Sequence, residues 1–317
     1  NTYTSTFGDD LDVERYLLQI YLITDRHEKA DNLLQVLCNK HPNDSLLWYE
    51  RARLFTKLKK NSLAIDCYKK CLQISPDFND GFKNMALLLK KENLLDTYLE
   101  NLIKNENNNF KKYTRLTNIA QCLFIQGKGV KALNNIEEAL KIHPEKGTSN
   151  KDYLNTIVIK GTIYDSLEKY DKAINIYKEV LKLDDTIFQA YSNIGDSLLK
   201  SKKEKEAIQY FEKCLKINPN YAIGYLNLGN AYFKLGEIEK SLLYFNKASE
   251  LDPNNSYILS SKAAAMIETD DQLNALEILK KAIKLDSFNA TAYLNLGIIL
   301  KNKNLFDQAL KMFDACI

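Results

Sequence analysis

Residues 222–255 read AIGYLNLGNAYFKLGEIEKSLLYFNKASELDPNN, and this stretch determines the fold. Its pentapeptide YLNLG, at residues 225–229, returns at residues 293–297, which is 68 residues later. At half that distance the chain shows the same order of apolar and small residues. The sequence is therefore built from a repeat of 34 residues, and we number the positions within each repeat from 1 to 34.

The repeat extends over nearly the whole chain. Repeats 1 to 9, in order, are residues 11–44, 45–78, 79–112, 113–146, 154–187, 188–221, 222–255, 256–289 and the incomplete 290–317. Residues 147–153 interrupt the frame, and we predict them to be an insertion. Residues 1–10 precede it, and we predict a flexible N-terminal segment there.

Small and large side chains alternate in fixed columns. Positions 8 and 20 hold Gly, Ala or Ser in most repeats, as in Gly229 and Ser241, while positions 4, 11 and 24 hold large residues such as Phe245. Spacings of three and four residues predict two amphipathic helices per repeat, which cross closely at the small positions. Proline does not fit a helix interior, so its occurrence only at position 32 marks the end of each pair: Pro42, Pro76, Pro144, Pro219 and Pro253.

This residue pattern resembles that of the tetratricopeptide repeat (TPR) family, which is W-x₂-L-G-x₂-Y…A-x₃-F…P. Repeat 7 matches it at Tyr225, Leu228, Gly229, Tyr232, Ser241, Phe245, Ala248 and Pro253. The resemblance implies an all-α fold, a right-handed α-solenoid superhelix of tandem helix-turn-helix units. Repeat 3 departs most, with Tyr98 at position 20 and Phe110 in place of proline. We expect a distorted helix pair there, with a second helix shortened within residues 104–112.

Composition excludes several classes of protein. A net charge of +3 over 317 residues is too small for the basic face of a nucleic-acid-binding protein. No apolar run approaches the ~18 residues that a membrane span needs, so we expect no membrane insertion. The six cysteines are dispersed through predicted helices, which favours reduced thiols and an intracellular, cytoplasmic location, with a ciliary or nuclear one left open.

The sequence contains no motif that carries catalysis. Phosphate-binding, dinucleotide-binding and zinc-protease signatures are all missing. Cys67 and Cys71 lie four residues apart, but Cys71 occupies a predicted buried column, and free cysteine behaves there as a small hydrophobic residue. We therefore expect no enzyme activity, no metal, no cofactor and no small-molecule substrate.

The resemblance also implies a binding groove. In the TPR family the first helix of each repeat lines a concave surface through positions 2, 5, 6, 9, 12 and 13. Asparagine recurs at position 6, and a column of carboxamides can hydrogen-bond the backbone of an extended peptide, although Asn is frequent at this position for structural reasons too. The predicted peptide-binding residues are Asn84, Asn118, Asn193, Asn227, Asn230, Asn295, Leu226 and Leu294. Basic inward positions in repeats 1 to 3 and apolar ones in the last repeats favour a segment that is acidic at one end and hydrophobic at the other.

These observations predict a non-catalytic scaffold or adaptor that binds protein segments within a larger complex. Two alternatives stay open. The chain could be the substrate-recognition arm of an enzyme, as the likeness to the asparagine ladder of O-GlcNAc transferase implies, or a structural subunit of a microtubule, ciliary or cell-cycle assembly. Because Leu310 and Phe313 would have no following helix, we also expect either a longer protein or another subunit that covers this end.

Overall fold

The computed structural model describes residues 11–104, 111–269 and 271–316. In these ranges the chain forms helices joined by short turns, without strands. The helices are α1 Leu11–Ile23, α2 His27–Lys40, α3 Ser45–Lys57, α4 Asn61–Ile74, α5 Asn79–Lys91, α6 Leu95–Lys104, α7 Lys112–Ile125, α8 Gly129–Ile142, α9 Lys151–Ser166, α10 Tyr170–Leu183, α11 Phe188–Lys200, α12 Glu204–Ile217, α13 Ala222–Lys234, α14 Ile238–Leu251, α15 Ser256–Glu268, α16 Gln272–Leu285, α17 Ala290–Asn302 and α18 Phe306–Asp314.

The chain divides into two compact units, residues 1–159 and 160–317. Each repeat contributes one helix pair, whose first member we call the A helix and whose second member we call the B helix. In both units the B helix packs on its own A helix and on the A helix of the next repeat, as α12 packs on α11 and α13. The predicted all-α solenoid of helix pairs is confirmed.

The small residue at position 8 lies against the aromatic ring at position 24. A Cβ atom added to Gly195 would stand 2.5 Å from the Phe211 ring, and one added to Gly229 would stand 2.6 Å from Phe245. Both rings are almost completely buried. Glycine at position 8 therefore makes room for an aromatic ring. The sequence had instead suggested that this position is small so that two helix backbones can approach each other.

The turn within each pair uses the left-handed backbone conformation at position 15. Gly127 and Gly236 adopt it with φ of 77° and 76°. Non-glycine residues adopt it at the same position in other repeats, although the conformation costs an L-residue about 1–2 kcal/mol. They are Asp25, Lys59, Asn93, Glu168, Lys202 and Asn304.

The predicted insertion at residues 147–153 is a loop followed by the first turn of a helix. Helix α9 already begins at Lys151, so only residues 147–150 remain as an added loop. His143 is buried at its start, where Nδ1 accepts the Glu145 backbone N–H at 3.1 Å and Nε2 lies 3.3 Å from an Asp152 carboxylate oxygen. Asn150 caps α9 by accepting the backbone N–H of Asp152 at 3.0 Å. The loop is thus fixed at both ends.

Two expectations fall wholly or partly outside the described residues. The flexible segment at residues 1–10 is one. The shortened second helix of repeat 3 is the other, because α6 is described only to Lys104 and the asparagine-rich residues 105–109 follow it.

Candidate functional site

Successive A helices form a contiguous surface within the second unit. Helix α11 contacts α13, α13 contacts α15, and α15 contacts α17, whereas no comparable contact joins successive B helices in the described part of this unit. In the first unit α5 contacts α7 in the same way. This asymmetry places the A helices on the inner side of the second unit, where the sequence predicts the binding residues.

Three of the predicted asparagines tie one A helix to the one before it. The side-chain amide of Asn84 donates to the Tyr49 hydroxyl at 3.1 Å, and that of Asn295 donates to the Ser260 carbonyl at 3.2 Å. Asn227 is placed in the same way, with its amide 3.5 Å from Ser192 Oγ. Each partner lies 35 residues earlier, at position 5 of the preceding repeat. The column therefore also serves to align the A helices.

The predicted peptide-binding residues differ in how far they are buried. Asn118 and Asn295 retain only 1% and 7% of their exposed surface, and Leu226 packs into a core with Phe245. The partly or largely exposed members are Asn84, Asn193, Asn227, Asn230 and Leu294. Their role as peptide-binding residues stays a prediction, and the structure leaves these five accessible for it.

Buried donors on α7 were not anticipated from the sequence. Asn118 Nδ2 and Gln121 Nε2, at inward positions 6 and 9 of repeat 4, have no hydrogen-bond partner among the described residues. Helix α7 is buried around most of its circumference, which explains why these amides are covered. A buried amide without a partner costs roughly 1–3 kcal/mol.

The basic residues of repeats 1 to 3 are largely paired within the chain. Arg15 contacts Asp44 at 2.6 Å, and Arg53 contacts Glu50 at 3.1 Å. Lys57 lies 2.7 Å from Asp25, and this hydrogen bond lowers the pKa of the Asp25 carboxyl. Lys83 and Lys91 are exposed at other inward positions of repeat 3. The inward charge of the first unit is thus smaller than a residue count suggests.

A buried carboxylate network crosses the inner side of the second unit. Asp165 accepts the Ser197 hydroxyl at 2.7 Å and the Tyr177 hydroxyl at 3.0 Å. Burial raises the pKa of the Asp165 carboxyl, although these hydrogen bonds act in the opposite direction. Asp196 and Lys200 form an ion pair at 2.6 Å nearby on α11. The only sequence signal for this network was a carboxylate at position 12, where neighbouring repeats carry apolar side chains.

Cys67 and Cys71, which lie four residues apart on α4, are both buried. Burial raises the pKa of Cys67 to about 11 and that of Cys71 to about 12, so both thiols are protonated at neutral pH.

Among the described residues no group of three His, Cys, Asp or Glu side chains is arranged to hold a metal ion. In the same residues no helix is both long and apolar enough to traverse a bilayer.

Comparison with known protein families agrees with the repeat frame. Tetratricopeptide repeat profiles match residues 45–78, 188–221, 222–255, 114–186 and 290–317, which together make up more than half of the sequence. The chain belongs to the tetratricopeptide repeat family. Four of these ranges begin at the residue where the predicted repeat begins. Tetratricopeptide repeats are typically non-catalytic units of protein interaction.

Individual relatives of this TPR chain are distant. A rice protein (Oryza sativa subsp. japonica), DnaJ protein P58IPK homolog B, is 24% identical over 189 residues, which is 56% of this chain and 40% of that protein. Solved structures of MamA are also similar. MamA 41-end from Desulfovibrio magneticus RS-1 is 26% identical with a TM-score of 0.45, over 57% of this chain and 98% of that one. Another MamA crystal structure is 23% identical with a TM-score of 0.42, over 49% and 91% of the two chains.

Proposed function

We propose that this TPR chain is a non-catalytic scaffold that binds extended segments of partner proteins on the inner A-helix surface of its units. The observation that carries the proposal is the contiguous row of A helices in residues 160–317, which presents accessible polar and apolar side chains together. Asn230 offers donors and an acceptor at position 9 of α13, and Leu294 is 46% exposed at position 5 of α17. An extended segment needs both backbone hydrogen bonds and pockets for side chains.

A reducing, intracellular compartment fits this proposal. Each of the six cysteines is free, and five of them are buried. Exposure of such thiols to an oxidising compartment during folding would favour mispaired disulfides. This supports the intracellular location as part of the proposal.

The test compares two pairs of substitutions matched in residue type. Asn230→Ala with Leu294→Ala removes accessible groups from A helices α13 and α17. The control, Asn246→Ala with Leu243→Ala, removes the same side chains from exposed positions of the B helix α14. The probe is a peptide selected from a random twelve-residue phage-displayed library against the unmodified protein, and its Kd is measured by fluorescence polarisation.

We expect the A-helix pair to weaken peptide binding by about 10- to 60-fold. A lost hydrogen bond contributes roughly 0.5–1.5 kcal/mol, the partly exposed leucine contributes roughly 1 kcal/mol, and each 1.4 kcal/mol is about tenfold in Kd. The control pair should change Kd by less than twofold. Loss of binding in the control pair alone would refute the proposal and indicate that the B helices form the binding surface.

A further inference from the structure

Repeat 2 contains an open pocket on a face that the proposed groove does not use. It has a volume of about 360 Å³ and lies between helices α2, α3 and α4. Half-buried Trp48 forms one wall, and its indole N–H donates to the Pro42 carbonyl at 3.0 Å, which fixes the ring. Phe55 and Cys67 are buried and line the same space.

Two other repeats show what fills the equivalent space. Tyr210, at position 23 of repeat 6, lies against Tyr191 at position 4, with ring centroids 6.5 Å apart. In repeat 7 the Tyr244 ring lies 6.4 Å from Tyr225 and stacks on Tyr232 at 5.4 Å with an interplanar angle of 14°. A position-23 tyrosine therefore packs against the position-4 aromatic residue in both repeats, and in repeat 7 it also packs against the aromatic residue at position 11.

In repeat 2 this arrangement lacks one ring. Trp48 and Phe55 supply the aromatic residues at positions 4 and 11, but position 23 is Cys67, whose side chain cannot extend between them. The pocket occupies the place where a tyrosine ring lies in repeats 6 and 7. Its volume exceeds that of one aromatic side chain, and its open side faces solvent.

The charges around the pocket also suit an aromatic ring. In repeat 6, Lys213 at position 26 lies over the Tyr210 ring at 5.3 Å. Lys70 occupies the same position in repeat 2 and borders the pocket. Lys60 lies over the Phe55 ring at 5.9 Å, and Arg51 is held by Asp31 at 3.2 Å. Ammonium groups attract the negative face of an aromatic ring, so the rim complements the electrostatics of the missing group.

We propose that the pocket between Trp48, Phe55 and Cys67 receives a Phe, Tyr or Trp side chain presented by a partner protein. The bound ring takes the place of the absent position-23 tyrosine, packs against Trp48 and lies under Lys70. Repeat 2 thus provides a second, aromatic-specific docking point that is separate from the inner A-helix surface.

The test uses the single tryptophan of the chain as its own reporter. Trp48 emission is excited at 295 nm while the capped pentapeptide acetyl-Gly-Gly-Phe-Gly-Gly-amide is added at millimolar concentrations. We expect a saturable shift in emission. The matched peptide with Leu in place of Phe should bind at least fivefold more weakly. Equal binding of the two peptides would overturn the aromatic assignment.

Two variants locate the binding in the pocket. Cys67→Tyr restores the ring found in repeats 6 and 7, so it should abolish the peptide-induced shift. Lys70→Gln should weaken binding about three- to tenfold through loss of the cation–π contact, whereas Lys178→Gln, at an exposed position of α10, should leave it unchanged. A shift that persists in Cys67→Tyr, or equal effects of the two lysine substitutions, would contradict the proposal. An emission change caused by protein concentration alone would identify a second copy as the occupant and would also overturn it.

Discussion

Replacement of Gly195 by Ala tests the packing that repeats through both units. Alanine is favoured over glycine in a helix interior by about 1 kcal/mol, so propensity alone predicts stabilisation of α11. The structure predicts the opposite, because the new Cβ would lie 2.5 to 2.8 Å from three carbon atoms of the Phe211 ring. That ring is completely buried.

Overpacking of this kind costs roughly 1–3 kcal/mol. After the gain in helix propensity, we expect Gly195→Ala to lower the free energy of unfolding by up to about 2 kcal/mol. In the Phe211→Leu background the ring is gone, and the same substitution should raise the free energy of unfolding by up to about 1 kcal/mol. The chain itself contains this combination, with Ala263 at position 8 and Leu279 at position 24 of repeat 8.

The assay is urea unfolding followed by circular dichroism at 222 nm for the four proteins of the double-mutant cycle. The reversal of sign between the two backgrounds is the decisive result, because no change in helix propensity can produce it. Equal effects of Gly195→Ala with and without the ring would refute the assignment of position 8 to ring accommodation. Repeat 2, which combines Ala52 with Tyr68, shows that an alanine and a ring coexist where the helices are spaced to suit them.

Three further predictions follow from local geometry. Lys202→Gly should raise the free energy of unfolding by about 0.5–1 kcal/mol, because φ is 61° at this residue; thermal unfolding would measure it, and a lower Tm would contradict it. Asn289→Ala should cost about 1–2 kcal/mol, since its side chain caps α17 through the Ala292 N–H at 3.1 Å and reaches Ser260 Oγ at 3.4 Å; an unchanged urea midpoint would argue against this role. Burial raises the pKa of the Asp165 carboxyl in the folded state. The protonated carboxyl therefore contributes to stability below the unfolded pKa of about 3.9, and this contribution is lost as the pH rises through the folded pKa. Asp165→Asn should therefore gain stability relative to the natural protein as the pH rises from 4, which urea midpoints at several pH values would show.

The fold was predictable because the residue types at fixed positions of the repeat reflect steric requirements of a helix pair. Proline at position 32 and small residues at positions 8 and 20 are each incompatible with most folds other than a helix pair. Because all three recur with the same period of 34 residues, they indicate one fold. What position 8 accommodates was not predictable, because a sequence does not show which side chain faces Gly195. The left-handed turn at position 15 was visible only where glycine occurs, since Lys59 and Glu168 give no sign of it.

The candidate site was predictable as a surface but not as a set of groups. Resemblance to the TPR family correctly implied that A helices adjoin one another. It did not reveal that Asn118 is covered or that Arg15 is paired with Asp44, because both facts depend on residues that are distant in sequence. The pocket of repeat 2 did have a sequence signal. Cys67 is the smallest side chain at position 23, where repeats 6 and 7 have Tyr210 and Tyr244, and it occurs together with the aromatic residues Trp48 and Phe55.

The asparagine column must therefore be tested with its structural role in mind. Substitution of Asn295 removes a hydrogen bond to the Ser260 carbonyl and so changes how α17 lies against α15, whether or not a ligand uses the amide. Weaker binding after such a change does not by itself identify a contact. Asn230 lies at position 9, outside the column that ties the A helices together, and it remains partly exposed. Loss of affinity at Asn230 with unchanged unfolding therefore supports direct recognition, whereas loss at Asn295 with lower stability shows only that the alignment of A helices shapes the surface.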